Sequence, residues 1–187
     1  MDDKSHMRLP GPWAWQFREL RPISLVIGLT GALAVILILL TPMPAGAVTI
    51  SPPTSKNGGT AATGSSTLTF QLGSVTATAP TLTGFTVTVS ATDFTTGAGT
   101  ANETISKSIV FYWSGIATSF SGGILGSYTP GQATFANKQD LSTSRTAFSG
   151  TAILGTTSVT WNPTIVINLP AKAVAGSYSG TITHSVA

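Results

Sequence analysis

Alternation of apolar residues with threonine or serine is the pattern that most constrains the fold of this chain. The segment Gly84–Ala91 reads Gly-Phe-Thr-Val-Thr-Val-Ser-Ala, so its apolar side chains fall on one side of an extended strand and its hydroxyls on the other. Threonine is β-branched and remains solvated on an exposed strand face, which favours β-structure. The segment therefore predicts a half-buried β-strand.

Further segments after residue 47 share the character of strands. The alternation recurs in 67–72 and 177–187, a plausible strand covers 146–154, and the nearly continuous apolar run 108–113 predicts a strand buried on both faces. In 159–169 the residues Val159, Trp161, Ile165, Ile167 and Leu169 share one parity, and Pro163 predicts a bulge or an edge position. Because no helical periodicity follows residue 47, we expect an all-β fold, an antiparallel β-sandwich of the immunoglobulin-like, Greek-key type.

The N-terminal part has the pattern of an export signal. Arg18 and Arg21 precede an uncharged, largely apolar run at 23–40, and prolines and Ala45-Gly-Ala47 follow it. This order is typical of a signal peptide, with cleavage after Ala47. The run lies between the length of a signal core, about 7–15 residues, and that of a spanning helix, about 17–25, so an uncleaved anchor helix remains the alternative. Either reading places the rest of the chain outside the cytoplasmic membrane, secreted or at the cell surface.

The composition divides the chain into three parts. Residues 1–47 form the signal peptide or anchor, and 48–66 are rich in Pro, Gly, Ser and Thr, which predicts a flexible linker. Residues 67–187 form the expected β-sandwich domain.

Charge and cysteine content exclude several classes of function. Residues 48–187 carry five basic and three acidic side chains, a net charge of +2, with no basic cluster that would neutralise a row of phosphates. The chain has no cysteine, which excludes thiolate metal sites and thiol nucleophiles. Within 48–187, one histidine and three scattered acids give no ligand spacing, and no serine lies in a nucleophile elbow. We therefore expect no enzymatic activity, no metal, no cofactor and no nucleic-acid partner; a membrane would be contacted only through 23–40.

Three stretches together resemble the WxL-type surface domain of Gram-positive bacteria, particularly its actinobacterial relatives. They are Gly84–Thr95, Thr160–Pro163 and Ala173–Ala187. The first resembles an early strand of the family with its W-x-L motif, and the last resembles the closing strand that leads into a second W-x-L. Both tryptophans are replaced in this chain. The motif-equivalent positions are Phe85, Thr86 and Val87, and His184, Ser185 and Val186.

The resemblance implies a secreted domain that attaches non-covalently to the cell wall, through peptidoglycan. Phe85 and His184 fall on the inward parity of their strands, which predicts core packing for Phe85 and a hydrogen-bonded structural role for His184. The candidate ligand-contact aromatics are Phe120, Tyr128, Trp113 and Trp161, although core packing is the more ordinary role for the two tryptophans.

Three hypotheses for function follow from these patterns. The preferred one is an exported, non-catalytic cell-surface protein that binds cell-wall polymer. The alternative is a structural subunit of a surface sheath, fibre or layer that self-assembles through edge strands, because uncharged edges favour pairing. A third is a domain that presents its loops to another surface protein or glycan, with the Gly- and Ser-rich segment Gly115–Gln132 as the likeliest variable region.

Overall fold

The computed structural model describes residues 46–62 and 64–187, and this part of the chain is all-β with antiparallel sheets. The all-β prediction is confirmed for it. The apolar run 23–40, its predicted helix and the flanking arginines lie outside the described residues. Within the described ranges, no helix is long and apolar enough to cross a membrane.

Twelve strands, numbered β1 to β12 in chain order, make up the sheets of the described part. They are Thr49–Ser51, Thr67–Gln71, Val75–Ala79, Gly84–Ala91, Phe94–Thr95, Thr104–Ile105, Val110–Trp113, Ala117–Pro130, Gln139–Asp140, Arg145–Trp161, Thr164–Asn168 and Ile182–Val186. Short 3-10 turns at 101–103, 107–109 and 135–137 connect some of them.

Six of these strands form the main sheet, which is organised around β10. One edge of β10 pairs with β8 along nearly its whole length. The other edge pairs with β4 through residues 145–151 and with β3 through 157–161, so that β3 and β4 follow one another along it. Outside them, β12 pairs with β4 and β1 pairs with β3. Among residues 46–62 and 64–187, the edges of the main sheet that pair with no further strand are therefore β8 on one side and the short strands β1 and β12 on the other.

Four strands in the order β2-β11-β7-β9 form the second sheet, and β5 and β6 form a separate two-stranded pair. The two larger sheets share one hydrophobic cluster. Val75, Val87 and Val159 of the main sheet belong to it together with Tyr112 and Ile165 of the second sheet, and each is fully buried. Inward-facing side chains from both sheets therefore build a single core.

The chain passes from one large sheet to the other at Asn162-Pro163. β10 ends at Trp161 in the main sheet, and β11 begins at Thr164 in the second sheet. The expectation of one strand with a bulge or edge position at Pro163 was therefore wrong. Proline lacks the backbone N–H that pairing between strands requires. Pro163 therefore lies in the break between β10 and β11. The shared parity of Val159, Trp161, Ile165 and Ile167 is confirmed, because all four enter the same core from opposite sheets.

Three other segments differ from the expectations. Ala117–Pro130, inside the segment considered as the likeliest variable region, is a strand and not a loop. Val75–Ala79 is a buried strand that the alternation of short Ala and Thr side chains did not indicate. Thr49–Ser51, inside the segment predicted as linker, forms a short strand on β3.

The strand β7 also differs in its burial. Val110 and Tyr112 are fully buried, whereas Phe111 and Trp113 are only partly covered. The prediction of burial on both faces was therefore wrong, because the outward face of this strand carries aromatic rings that other elements cover only in part.

Candidate functional site

The two motif-equivalent triplets lie on neighbouring strands. Phe85-Thr86-Val87 belongs to β4 and His184-Ser185-Val186 to β12, and the two strands pair with Val186 opposite Val87. Beyond the end of β12, the Thr86 N–H donates to the Ala187 carbonyl at 2.8 Å, and the Ala187 N–H donates back to Thr86 at 3.1 Å. Segments almost a hundred residues apart in sequence thus form one continuous surface.

The inward side of the second triplet ends in a buried polar trio. His184 is 8% exposed, and its Nε2 lies 3.2 Å from the Tyr112 hydroxyl. The Trp161 indole N–H donates to that same hydroxyl oxygen at 3.3 Å. An indole N–H only donates, so the Tyr112 hydroxyl accepts from Trp161 and can donate its own hydrogen to Nε2 of a neutral His184 whose proton lies on Nδ1. The trio joins the two large sheets.

Burial sets the protonation state of this trio. Desolvation lowers the pKa of His184 to about 4, because the buried imidazolium would lose its hydration. Burial also raises the pKa of Tyr112 above its ordinary value, more than the hydrogen bond from Trp161 lowers it. Both side chains are therefore neutral at pH 7. His184 faces the core and has no access to a ligand on the surface, which fits a structural role.

The inward side of the first triplet is part of an aromatic row. Phe85 is 5% exposed and its ring centroid lies 6.2 Å from that of Tyr128, with Gly150 of the central strand between them. A β-carbon on Gly150 would stand 2.6 Å from Tyr128 Cδ1 and 2.9 Å from Phe85 Cε1. The two rings therefore pack against Gly150 at a distance that leaves no room for a larger side chain there. The Tyr128 hydroxyl donates to Thr157 Oγ1 at 2.7 Å.

The row continues outward to Phe120. Its ring centroid lies 5.1 Å from that of Tyr128, and Phe120 is 52% exposed. Phe120 pairs with the buried Val159, so it lies on the core-facing side of the main sheet, where this side reaches solvent. Three rings thus lead from the core at Phe85, through the half-buried Tyr128, to the surface at Phe120.

The two tryptophans among the candidate aromatics have different environments. Trp161 is fully buried and stacks on Phe148 with 4.8 Å between ring centroids, so it cannot contact a surface ligand. Trp113 lies on the outward face of the second sheet, partly covered, with the Phe135 ring edge-on at 6.4 Å. The structure brings Phe120 and Tyr128 together but places Trp113 on the other sheet.

A shallow groove opens beside the first triplet. Its volume is about 400 Å³, and the lining residues are Gly84, Phe85, Thr86, Ser127, Ser149, Gly150, Thr151 and Ala187. Thr86 and Ser149 face away from the core, since strand parity puts them opposite the inward Phe85 and Gly150. Among the described residues no charged side chain lines the groove, and its walls carry apolar carbon as well as hydroxyls and backbone groups. This surface is suited to a ligand that is itself uncharged and rich in hydroxyls.

Most residues that line the groove have no distinguishing pattern in the sequence. Ser127, Ser149 and Thr151 are exposed or partly exposed hydroxyls in a chain where such residues are abundant, so nothing in their local sequence separates them from the others. Their proximity depends on the pairing of β10 with both β4 and β8. The Gly84-Phe-Thr start of β4 and Ala187 are the parts of the lining that lie in the stretches carrying the resemblance.

Acidic and cationic side chains lie elsewhere. In the described ranges, no group of three or more His, Cys, Asp or Glu side chains is placed to hold a metal ion. Asp140 pairs with Arg145 at 2.9 Å, and hydrogen bonds from Ser142 lower the pKa of the Asp140 carboxyl. Neither a scan against protein-family models nor a search of curated proteins finds a match to this chain.

Proposed function

We propose that this chain is an exported, non-catalytic surface protein that binds an uncharged stretch of cell-wall polymer, the glycan of peptidoglycan, through the hydroxyl-lined groove beside its two triplets. The observation that carries the proposal is the groove itself, formed where Gly84-Phe85-Thr86 and Ala187 meet. The domain would be a β-sandwich of the immunoglobulin-like, Greek-key type, related to the WxL-type surface domains that the sequence resembles.

The chemistry of the groove favours a sugar over an anionic ligand. Hydroxyl groups both donate and accept hydrogen bonds, as the hydroxyls of a sugar do. An anionic ligand would lose hydration on entering without gaining an opposite charge, because no cationic side chain of the described residues lines the groove. A volume of about 400 Å³ lies at the lower end of the range usual for small-ligand sites.

Because both motif tryptophans are replaced, contact with the wall polymer has to come from other residues. Phe85 and His184 stand where the family has tryptophan, and both side chains point into the core. Their difference from tryptophan therefore alters the packing of the core and not a surface that a ligand would contact. Thr86 and Ser185 are the exposed members of the two triplets, and Thr86 lines the groove. We assign the direct contact to Thr86, with Ser127, Ser149 and Thr151 across the groove.

Export is the part of the proposal supported by the N-terminal sequence. The basic flank at Arg18 and Arg21, the apolar run at 23–40 and the small residues before Val48 are the features of a signal peptide. Cleavage after Ala47 would leave β1 at Thr49–Ser51 intact. A groove that binds wall glycan has a use only outside the cytoplasmic membrane.

Sedimentation with purified Gram-positive cell walls tests the proposal. The full chain should cosediment more than an unrelated β-sandwich protein does. Thr86→Trp fills the groove from an exposed strand position and should lower retention by at least about tenfold, the effect of losing about 1.4 kcal/mol of binding. Thr69→Trp, at an exposed position of β2 on the second sheet, is the matched control and should bind like the original chain.

The two parts of the proposal fail separately in this assay. Retention no better than that of the unrelated protein would reject wall binding. Retention that Thr86→Trp and Thr69→Trp leave equally unchanged would keep wall binding but reject the groove as its site. Soluble oligosaccharides released from the walls should compete with the intact polymer, and charged teichoic-acid fragments should not.

A further inference from the structure

The free edges of the two larger sheets differ greatly in length. The main sheet ends in β8 on one side, a strand of 14 residues, and on the other side in β1 and β12, of 3 and 5 residues. The second sheet ends in β2 and β9, of 5 and 2 residues. Proteins usually keep exposed edge strands short or charged, because unpaired N–H and C=O groups invite another strand. Among these edges, β8 is the long one.

Neither charge nor burial protects β8. Residues 117–130 include no charged side chain, and the only proline is the last residue, Pro130. Residues 118–123 are all exposed, so in this half both faces of the strand as well as its outer edge meet solvent. The ladder to β10 is regular over Ser119–Gly122 and shifts register further along, so the undistorted free edge is centred near Phe120.

Exposed apolar side chains are concentrated around the same strand. Phe120 lies on β8 and Ile116 directly before it, while Ile153 and Leu154 lie on the part of β10 that β8 covers. Each of these four is more than half exposed. Exposed apolar groups next to an open strand edge are typical of a surface that another protein covers.

We infer that two copies of this chain pair edge to edge through β8, antiparallel, about a twofold axis at Phe120. In such an isologous contact residue 120 faces its own copy, and a charge elsewhere near the twofold axis lies close to the same charge of the other copy. The absence of charge from 117–130 removes that penalty for self-pairing. Ser119 of one copy then lies opposite Ser121 of the other, and the two Phe120 rings lie side by side.

This pairing does not depend on the groove or its ligand. It uses the outer edge of β8 near Phe120, whereas the groove lies at Ser127, at the other half of the strand. The contact would be the basic unit of the surface sheath or layer that is the alternative function of this chain. That contact would lie on β8.

Site-specific cross-linking tests the inference in the full chain, which contains no native cysteine. Phe120→Cys places two thiols across the twofold axis, within the Cα separation of about 4.4–6.8 Å that a disulfide needs. Mild oxidation should convert most of this variant into a covalent dimer. Thr67→Cys, exposed on the edge strand β2, measures cross-linking by chance encounter and should give little dimer.

A pair of charge variants checks the register. In the Phe120→Cys background, Ser119→Lys with Ser121→Lys sets like charges opposite each other and should lower the yield of dimer by at least about tenfold. Ser119→Lys with Ser121→Asp sets opposite charges against each other in the same register and should preserve it. Circular dichroism of both variants checks that the fold is retained. A Phe120→Cys yield no higher than that of Thr67→Cys would overturn the inference, as would equal yields from the two charge variants.

Discussion

Acidification should weaken this fold through one side chain, His184. In the folded chain the imidazole is buried and its Nε2 accepts a hydrogen bond from Tyr112, and burial lowers its pKa to about 4. In the unfolded chain the same group would titrate at its ordinary value of 6.5. His184 is the only histidine in the described part of the chain, so its titration can be followed separately.

The sign and size of the effect follow from these two pKa values. Above pH 6.5 both states are neutral and the full stability is present. Between about pH 6.5 and 4 the unfolded state binds a proton that the folded state does not, so the free energy of unfolding falls by about 1.4 kcal/mol for each pH unit. The total loss is about 3 kcal/mol. This is a large fraction of the 5–15 kcal/mol that holds an ordinary domain folded.

Urea unfolding followed by far-UV circular dichroism between pH 7.5 and about 4 measures this loss. His184→Gln is the matched control, since its amide oxygen can still accept a hydrogen bond from Tyr112 and does not titrate. We expect the variant to be less stable than the original chain at pH 7 but to lose little further stability down to about pH 4.5. The carboxyls of Glu103 and Asp140, whose pKa values are lowered, contribute only below that. A flat profile in the original chain, or the same slope in His184→Gln, would refute this account.

Two further substitutions test the packing around the triplets. Tyr112→Phe leaves the buried Trp161 N–H without its acceptor and should lower the free energy of unfolding by about 1–3 kcal/mol. Tyr178→Phe is the control, because it removes only exposed hydrogen bonds and should lower that free energy by less than about 0.5 kcal/mol. Gly150→Ala forces a β-carbon between Tyr128 and Phe85 and should cost about 1–3 kcal/mol by urea unfolding, while Gly84→Ala, which meets only ordinary contacts, should be nearly neutral. Equal costs within either pair would contradict the packing described here.

Local alternation was a reliable guide where one face of a strand is buried. In β4 the inward positions Phe85, Val87 and Val89 are all buried, and in β12 His184 is buried while Thr183 and Ser185 are exposed, as the parity predicts. This works because the side chains of a strand alternate between its two faces whatever its neighbours are.

The same reasoning failed where a strand's role depends on its partners. β8 has too many glycines and serines to read as a strand, yet it pairs with β10 along most of its length. β10 and β11 share one parity across Asn162-Pro163, and nothing in that parity indicates that they lie in different sheets. Strand partners are set by contacts between distant residues, which local periodicity does not record.

For the part of the chain after residue 47, the amino-acid sequence by itself determined the all-β class, the inward parity of the triplets and the scarcity of charge, because these depend on each residue and its near neighbours. Only the tertiary structure decided that the two triplets are neighbours, that Gly150 separates Phe85 from Tyr128, and that β8 is left with a free edge. The first feature comes from the pairing of β4 with β12, and the other two come from the pairing of β10 with the strands at its two edges. These registers are fixed by the packing of the whole core.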